Sequence, residues 1–246
     1  MEPNWATILS NKKIAEQTYM MELQADTSTV TAPGQFINIR LDGFYLRRPM
    51  SIADWTEESI TIIYRVVGGG TKSMSGFHAG TNLDILIGLG NGFDITKAEG
   101  KRIVLIGGSL GVAPLIGLAR KLKEKAEKVS AVIGFGEKSL VFGSDILRRY
   151  TDSLFITTVD GSVGKKGLVT AAIDETLYDY YFTCGNEYML RAIHSLKLEG
   201  QLSFEARMGC GFGACMGCSC RTLTGYKRIC MEGPIMLSSD ISYTDS

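Results

Sequence analysis

The residues best suited to chemistry are four cysteines near the end of the chain. Cys210, Cys215 and Cys218 lie in Arg207-Met-Gly-Cys-Gly-Phe-Gly-Ala-Cys-Met-Gly-Cys-Ser-Cys, and Cys230 in Lys227-Arg-Ile-Cys-Met-Glu-Gly-Pro234. The spacing C-x4-C-x2-C-x11-C matches plant-type [2Fe-2S] centres, in which one glycine-rich loop supplies three thiolates and a later segment the last. Such a centre passes electrons one at a time. Gly209, Gly211, Gly213 and Gly217 would let the loop take left-handed turns and bring its N–H groups close to the sulfurs. Zinc is the competing metal, since Cys215-x2-Cys218 could be one side of a ribbon. Neither a second C-x2-C nor a His pair is present to complete it. Disulfides fit less well, because 246 residues without a secretory leader can rest on their own core. Cys220, beside the loop, is expected to be simply buried and not a ligand.

Several other stretches suit phosphate or nucleotide binding. Arg47-Arg48-Pro49-Met50-Ser51 sets a guanidinium and a hydroxyl on an extended segment, because a proline biases its predecessor away from helix. An arginine fork there would suit a pyrophosphate, or it could be a solvated pair. Gly68-Gly69-Gly70-Thr71 offers bare N–H groups to a phosphate, or merely turns the chain. Further on, Lys101-Arg-Ile-Val-Leu-Ile106 runs into Gly107-Gly108-Ser-Leu-Gly111-Val-Ala-Pro114. A buried strand, a glycine turn and a helix with proline near its start form the first half of a βαβ nucleotide site, whose helix amino terminus would hold a dinucleotide pyrophosphate. The ordinary G-x-G-x-x-G form is absent. Cys184-Gly185-Asn186 ends one strand before a helix, where such sheets bind ligands, although ordinary packing would explain it equally. Glu137 could take ribose hydroxyls and favour NAD, with Lys138 working against it. His78 and His194 are expected to be structural.

These groups need three kinds of scaffold. From Trp5 to about Leu89, short β-branched and aromatic runs such as Thr18–Gln24, Phe36–Leu41 and Ile60–Val67 predict a small antiparallel barrel. From Lys101 onward, strands at Val129–Phe135, Leu154–Val159 and Tyr180–Thr183 alternate with helices expected near Ser139–Tyr150, Val169–Leu177 and Glu187–Leu198. That order predicts a parallel sheet. The expected organisation is therefore multi-domain β plus α/β, with units at 1–94, 95–200 and 201–246. Lys plus Arg and Asp plus Glu balance at 26 each, so no global field favours nucleic acid or an anionic membrane. The start lacks the features of a signal peptide and no apolar run approaches a membrane span, so a cytoplasmic protein is expected.

In order, Pro33-Gly-Gln-Phe36, Arg48-Pro-Met-Ser51, Ile63-Tyr-Arg65, Gly70-Thr71 and Gly88-Leu-Gly-Asn-Gly-Phe93 resemble the FAD domain of the ferredoxin reductase superfamily. The Gly-Gly-x-x-Gly-x-x-Pro turn is similar to that superfamily's NAD(P) domain. The resemblance implies FAD with its pyrophosphate at Arg48 and its isoalloxazine near Ser51, along Pro49 and Met50. It implies that Ile63, Tyr64, Arg65, Gly70 and Thr71 complete the site and that Cys184-Gly185 approaches the nicotinamide. Many members carry an aromatic residue where Met50 stands. NAD exchanges two electrons at once and a [2Fe-2S] cluster one, and a flavin can do either, so the three together imply a relay. The chain shows no carboxylate dyad, Ser-His-Asp set or evident base, and no catalytic residue of its own is expected.

With the cysteine loop included, nearly the whole chain resembles the electron-transfer subunits of the NAD-linked dihydroorotate dehydrogenases of bacteria and archaea. That likeness implies a separate flavin-bearing catalytic subunit oxidising dihydroorotate in pyrimidine synthesis, in a hetero-oligomer of two plus two chains. Two alternatives stand beside it: a subunit of another NAD(P)-linked complex (a ferredoxin:NADP oxidoreductase, a sulfide dehydrogenase or a hydrogenase), and a zinc-stabilised binding module. Cys218→Ser is expected to abolish most of the bound iron and its visible absorption, whereas Cys220→Ser leaves both near the unsubstituted level. Iron analysis of anaerobically purified variants checks this.

Overall fold

The computed structural model describes residues 4–243. Its first part is a closed six-stranded antiparallel barrel. The strands are β1 (Asn4–Ala15), β2 (Thr18–Gln24), β3 (Phe36–Ile39), β4 (Arg48–Trp55), β5 (Ser59–Arg65) and, after the short helix α1 (Gly69–Met74), β6 (Asn82–Leu89). Their order around the barrel is β1-β2-β5-β4-β3-β6, and β6 returns to pair with β1. Alternation explains the closure. Ile8, Met21, Leu23, Ile37, Ile39, Ile52, Ile60, Ile62 and Ile85 point inward and are almost wholly buried, while the residues between them face out.

The second part is a seven-stranded sheet. It comprises β7 (Arg102–Gly108), helix α2 (Ala113–Leu122), β8 (Lys128–Phe135), α3 (Ser144–Leu147), β9 (Ser153–Thr158), the two-residue β10 (Lys165–Lys166), β11 (Tyr180–Cys184), α4 (Glu187–His194) and β12 (Gly200–Ser203). A hairpin of β13 (Ser219–Thr222) and β14 (Gly225–Arg228) follows, and β15 (Ile235–Leu237) then joins the sheet. The order is β10-β9-β8-β7-β11-β12-β15, parallel throughout except for the last pair. Central strand β7 is apolar on both faces because both are covered. Ile103 and Leu105 pack toward α2, whereas Val104 and Ile106 pack with Leu190 and Ile193 of α4.

The sequence-based helix over Val169–Leu177 is replaced by two 3₁₀ turns, Val169–Ala172 and Glu175–Leu177. The Asp174 carboxylate accepts from Thr176 N–H at 3.2 Å, which offers the backbone a local alternative to helix. Over Ser139–Tyr150 only α3 is α-helical. The sheet also takes in Gly200–Ser203 and Ile235–Leu237, so the cysteine segment grows from two strands of the sheet. Among the described residues no helix is long and apolar enough to cross a membrane.

Three contacts stand out, two between barrel and sheet and one that docks the cysteine segment. At the first, Arg120 of α2 binds Asp54 of β4 at 2.6 and 3.1 Å and donates to the Trp55 carbonyl at 3.0 Å. At the second, Glu16 N–H donates to the Ser139 carbonyl at 2.9 Å. At the third, the outward-facing Phe36, Leu86 and Leu89 of the barrel pack against Cys218, Ile229, Cys230 and Met236. The Arg120–Asp54 pair is charge-assisted but only partly buried, so Arg120→Ala is expected to cost about 1–2 kcal/mol. Urea unfolding should show a lower midpoint with an unchanged slope.

Candidate functional site

A cavity of about 310 Å³ opens where the barrel, the sheet and the C-terminal segment meet. The barrel contributes Phe36, Pro49, Met50, Ser51, Ile63, Tyr64, Arg65 and Thr71. The proline of Arg48-Pro49 lies in β4 as the extended reading requires, opposite Asn38 of β3. Arg65 Nε and Nη2 are buried without a hydrogen-bond partner, which is costly unless an acceptor comes from a ligand or water. Thr71 Oγ1 accepts from Val67 and Gly68 N–H at 2.9 and 3.2 Å and so shapes the loop that enters α1. Gly70 leaves room for Arg48, since a Cβ there would lie 2.5 Å from its Nε. The Arg65 guanidinium with its unpaired donors thus stands in a wall that suits a pyrophosphate, whereas Arg48 packs over the Phe44 ring at 4.7 Å, donates to the Leu46 carbonyl and is not among the residues lining the cavity. Arg47, by contrast, turns away. It binds Asp84 at 2.8 Å and plays no part in the cavity.

The sheet contributes Leu110, Ala113 and Cys184 to the same cavity. Burial pushes the Cys184 thiol up to about 12, and the nearby Glu205 carboxylate adds to this. Glu205, with Ser203, Phe204 and Ala206, forms the remaining wall. Sequence reasoning passed over Glu205, which desolvation raises above the ordinary carboxylate range. Its only signal was an acid placed just after a strand and five residues before the first cluster cysteine.

A second cavity of about 280 Å³ lies at the C-terminal ends of the parallel strands, where such sheets bind ligands. Gly108, Ser109, Gly134, Gly136, Thr157, Asn186 and Met189 line it. Ser109 is held at φ 53, a conformation uncommon outside glycine. Gly107 and Gly111 serve packing: a Cβ on Gly111 would lie 2.0 Å from the Cys184 carbonyl oxygen. The turn and Cys184-Gly185 are therefore in contact, as one nucleotide site would need. Pro114 lies in the first turn of α2. Gly136, and not Glu137, is on the cavity wall. The Glu137 carboxylate accepts from the Ser139 hydroxyl at 2.5 Å. His194 pairs with the Ser238 carbonyl at 3.1 Å and is structural.

The cysteine loop wraps four free thiols. Cys215 N–H donates to Cys210 Sγ at 3.3 Å, Gly213 N–H to Cys230 Sγ at 3.2 Å, and Cys230 N–H to Cys218 Sγ at 3.4 Å. Cys210 pairs with Cys215 and Cys218 with Cys230, which is the donor set a two-iron cluster takes. Among the described residues no group of three or more His, Cys, Asp or Glu converges on one ion position. Burial alone would push the Cys210 thiol up, but the N–H groups of Cys215 and Phe212 turned toward its sulfur bring it down to about 6. Cys230 is pushed up to about 12 by burial and by the Cys218 thiol beside it, so taking up a metal there would release a proton. Only Gly211 and Gly213 adopt left-handed backbone, at φ 78 and 87. Gly209 is needed for space instead, since a Cβ would lie 3.2 Å from Cys215 Sγ. Cys220 contacts Met236 Sδ at 3.9 Å and stands apart from the two pairs.

Residues 205–242 match the family model described as the iron-sulfur cluster binding domain of dihydroorotate dehydrogenase B. The electron transfer subunit of dihydroorotate dehydrogenase B (NAD(+)) from Fusobacterium nucleatum is 38% identical, over 96% of this chain and 96% of its own length. That of Bacillus velezensis is also 38% identical, over 96% and 97%. Among solved structures, an NADH-dependent reduced ferredoxin-NADP oxidoreductase matches with a TM-score of 0.87 and 28% identity, covering 97% of this chain and 90% of that one. A cytochrome P450 reductase of Amycolatopsis shares the fold at a TM-score of 0.68. With relatives this similar along almost the entire length, the chain belongs to the family of dihydroorotate dehydrogenase B electron transfer subunits.

Proposed function

We propose that this chain carries electrons from a partner dihydroorotate dehydrogenase subunit to NAD, in pyrimidine (UMP) synthesis. It would work in the cytoplasm as part of a hetero-oligomer of two plus two chains. The observation that carries this reading is the shared cavity. Barrel, sheet and C-terminal segment each give it a wall, and Phe36 in that wall also packs against the buried cluster cysteines. When bound, FAD exchanges hydride with NAD on one side and single electrons with a [2Fe-2S] cluster on the other.

In this reading residues 1–94 hold FAD, 95–200 hold NAD and 201–246 hold the cluster. Arg48 and Arg65 neutralise the flavin's pyrophosphate, and Gly70 and Thr71 keep the adjoining loop close enough to help. Pro49, Met50 and Ile63 form the apolar wall along the isoalloxazine, Tyr64 backs it from the barrel core with its hydroxyl on Asn11 Oδ1 at 3.0 Å, and Ser51 offers a hydroxyl. Gly108 meets the NAD pyrophosphate, and Gly107, Gly111 and Pro114 hold that turn close-packed at the start of α2. Cys184 and Gly185 close on the nicotinamide. A thiol held at about 12 stays protonated at neutral pH, so Cys184 acts as a small neutral neighbour and not as a nucleophile. Cys210, Cys215, Cys218 and Cys230 take the two irons. The likeness to an iron-sulfur domain over 205–242 favours iron over zinc. The 0.87 fold match to an NADH-dependent ferredoxin-NADP oxidoreductase supports a second reading with a different partner, against which the higher full-length identity to dihydroorotate dehydrogenase subunits weighs.

Anaerobically purified protein is expected to contain FAD, iron and acid-labile sulfide and to oxidise NADH with ferricyanide as acceptor. Dihydroorotate turnover should stay at background until the partner subunit is added, and turnover by this chain alone would refute the division of labour. Arg48→Ala removes a charge-assisted contact to the pyrophosphate and should weaken FAD binding by about 10- to 100-fold. Flavin retained after gel filtration, compared between the two proteins, measures that loss.

A further inference from the structure

One polar side chain joins the flavin barrel to the cysteine loop directly, and nothing in the motifs accounts for it. Asn38 lies on β3 between Ile37 and Ile39, which face the barrel core, so its own side chain points outward beneath the loop. It is 1% exposed. Its Nδ2 donates to the Cys210 carbonyl at 3.0 Å across 172 residues of sequence. Gly211 closes over the contact: its backbone is left-handed, and a Cβ would lie 2.3 Å from Asn38 Nδ2. The other amide atom, Oδ1, is buried without a partner. A buried, unpaired acceptor costs about 1–3 kcal/mol, so folding alone would favour an apolar residue at this position. Arg47 Nη1 supports the arrangement from behind, donating to the Asn38 carbonyl at 3.4 Å while its guanidinium is held by Asp84.

We propose that Asn38 is a positioning residue that holds Cys210 against the barrel and tunes the reduction potential of the cluster. The inference rests on the assignment of a [2Fe-2S] cluster to this loop. An amide N–H presents the positive end of its dipole within the peptide of a ligating cysteine. Positive charge there stabilises the reduced, more negative cluster and so raises its potential. The same contact fixes the loop's position relative to β3, whose Phe36 lines the flavin cavity.

The test uses the full chain and its complex with the partner subunit. Asn38→Leu removes the donor at similar volume, and Asn38→Ala removes it together with the bulk of the side chain. EPR-monitored redox titration should give a lower potential in both variants than in the unsubstituted protein. NADH:ferricyanide activity, which needs only the flavin side, should stay within about twofold. Partner-coupled dihydroorotate:NAD activity should drop by about tenfold or more. Unchanged potential and coupled activity in an iron-replete Asn38→Leu protein would overturn the proposal. Loss of iron from both variants, with FAD retained, would reduce Asn38 to a folding contact and also overturn it. If the unsubstituted protein itself lacks iron and sulfide, the cluster assignment fails independently of Asn38.

Discussion

Around their shared cavity the barrel and the parallel sheet meet in close backbone contact, and the two sites depend on that tightness. Gly117 of α2 sits so near the barrel that a Cβ would lie 2.8 Å from the Ala53 carbonyl. Asn91, just past the barrel, exchanges hydrogen bonds with Ile235 at 2.7 and 3.0 Å. The first contact locks α2, and hence the glycine turn before it, to β4. The second ties the C-terminal edge strand to the loop leaving β6. Between them the cavity wall made of Ser51, Cys184 and Glu205 is assembled from three distant parts of the chain. Interiors packed this closely transmit displacement instead of absorbing it, which is how a loop around residue 210 can be held in register with a flavin wall around residue 50.

The cysteine loop shows how sequence and tertiary structure divide the work. The loop alone arranges N–H donors around its sulfurs, and those donors bring Cys210 down to about 6 despite burial. The apolar side belongs to the barrel and the edge strand, which cover Cys218 and Cys230 with Phe36, Leu86 and Met236. Phe212 and Met216, beside Cys210 and Cys215 in the loop, remain exposed at 43% and 63%. Cys218 and Cys230 are therefore sealed against the barrel, whereas Cys210 and Cys215 are only partly buried.

Much of this was legible in residue types. The inward alternation of Ile37, Ile39, Ile60 and Ile62 specified a barrel, the doubly covered run Ile103–Ile106 a central parallel strand, and the cysteine spacing a cluster loop. Less legible was anything decided by contacts far apart in sequence. Arg47 and Arg48 are adjacent and chemically alike, yet Asp84 draws one away and leaves the other beside the cavity. Glu137 follows the strand at whose end Gly136 lines the second cavity, and its carboxylate is met by the Ser139 hydroxyl, a contact no spacing rule announces. The stretch Val169–Leu177 has apolar residues at helical spacing, yet it breaks into two 3₁₀ turns, the second capped by the Asp174 side chain. Glu205 and Asn38 belong to no motif, because their environments exist only after three segments come together.

The central claim is that one chain links a two-electron nucleotide site to a one-electron cluster through its own flavin cavity. EPR of the isolated protein, frozen anaerobically after reduction by NADH alone, tests this most directly. The account predicts the signal of a reduced [2Fe-2S] centre integrating to about one spin per chain, lost in the Cys218→Ser variant. Bleaching of the flavin by NADH with no cluster signal, in protein that contains iron and sulfide, would contradict it.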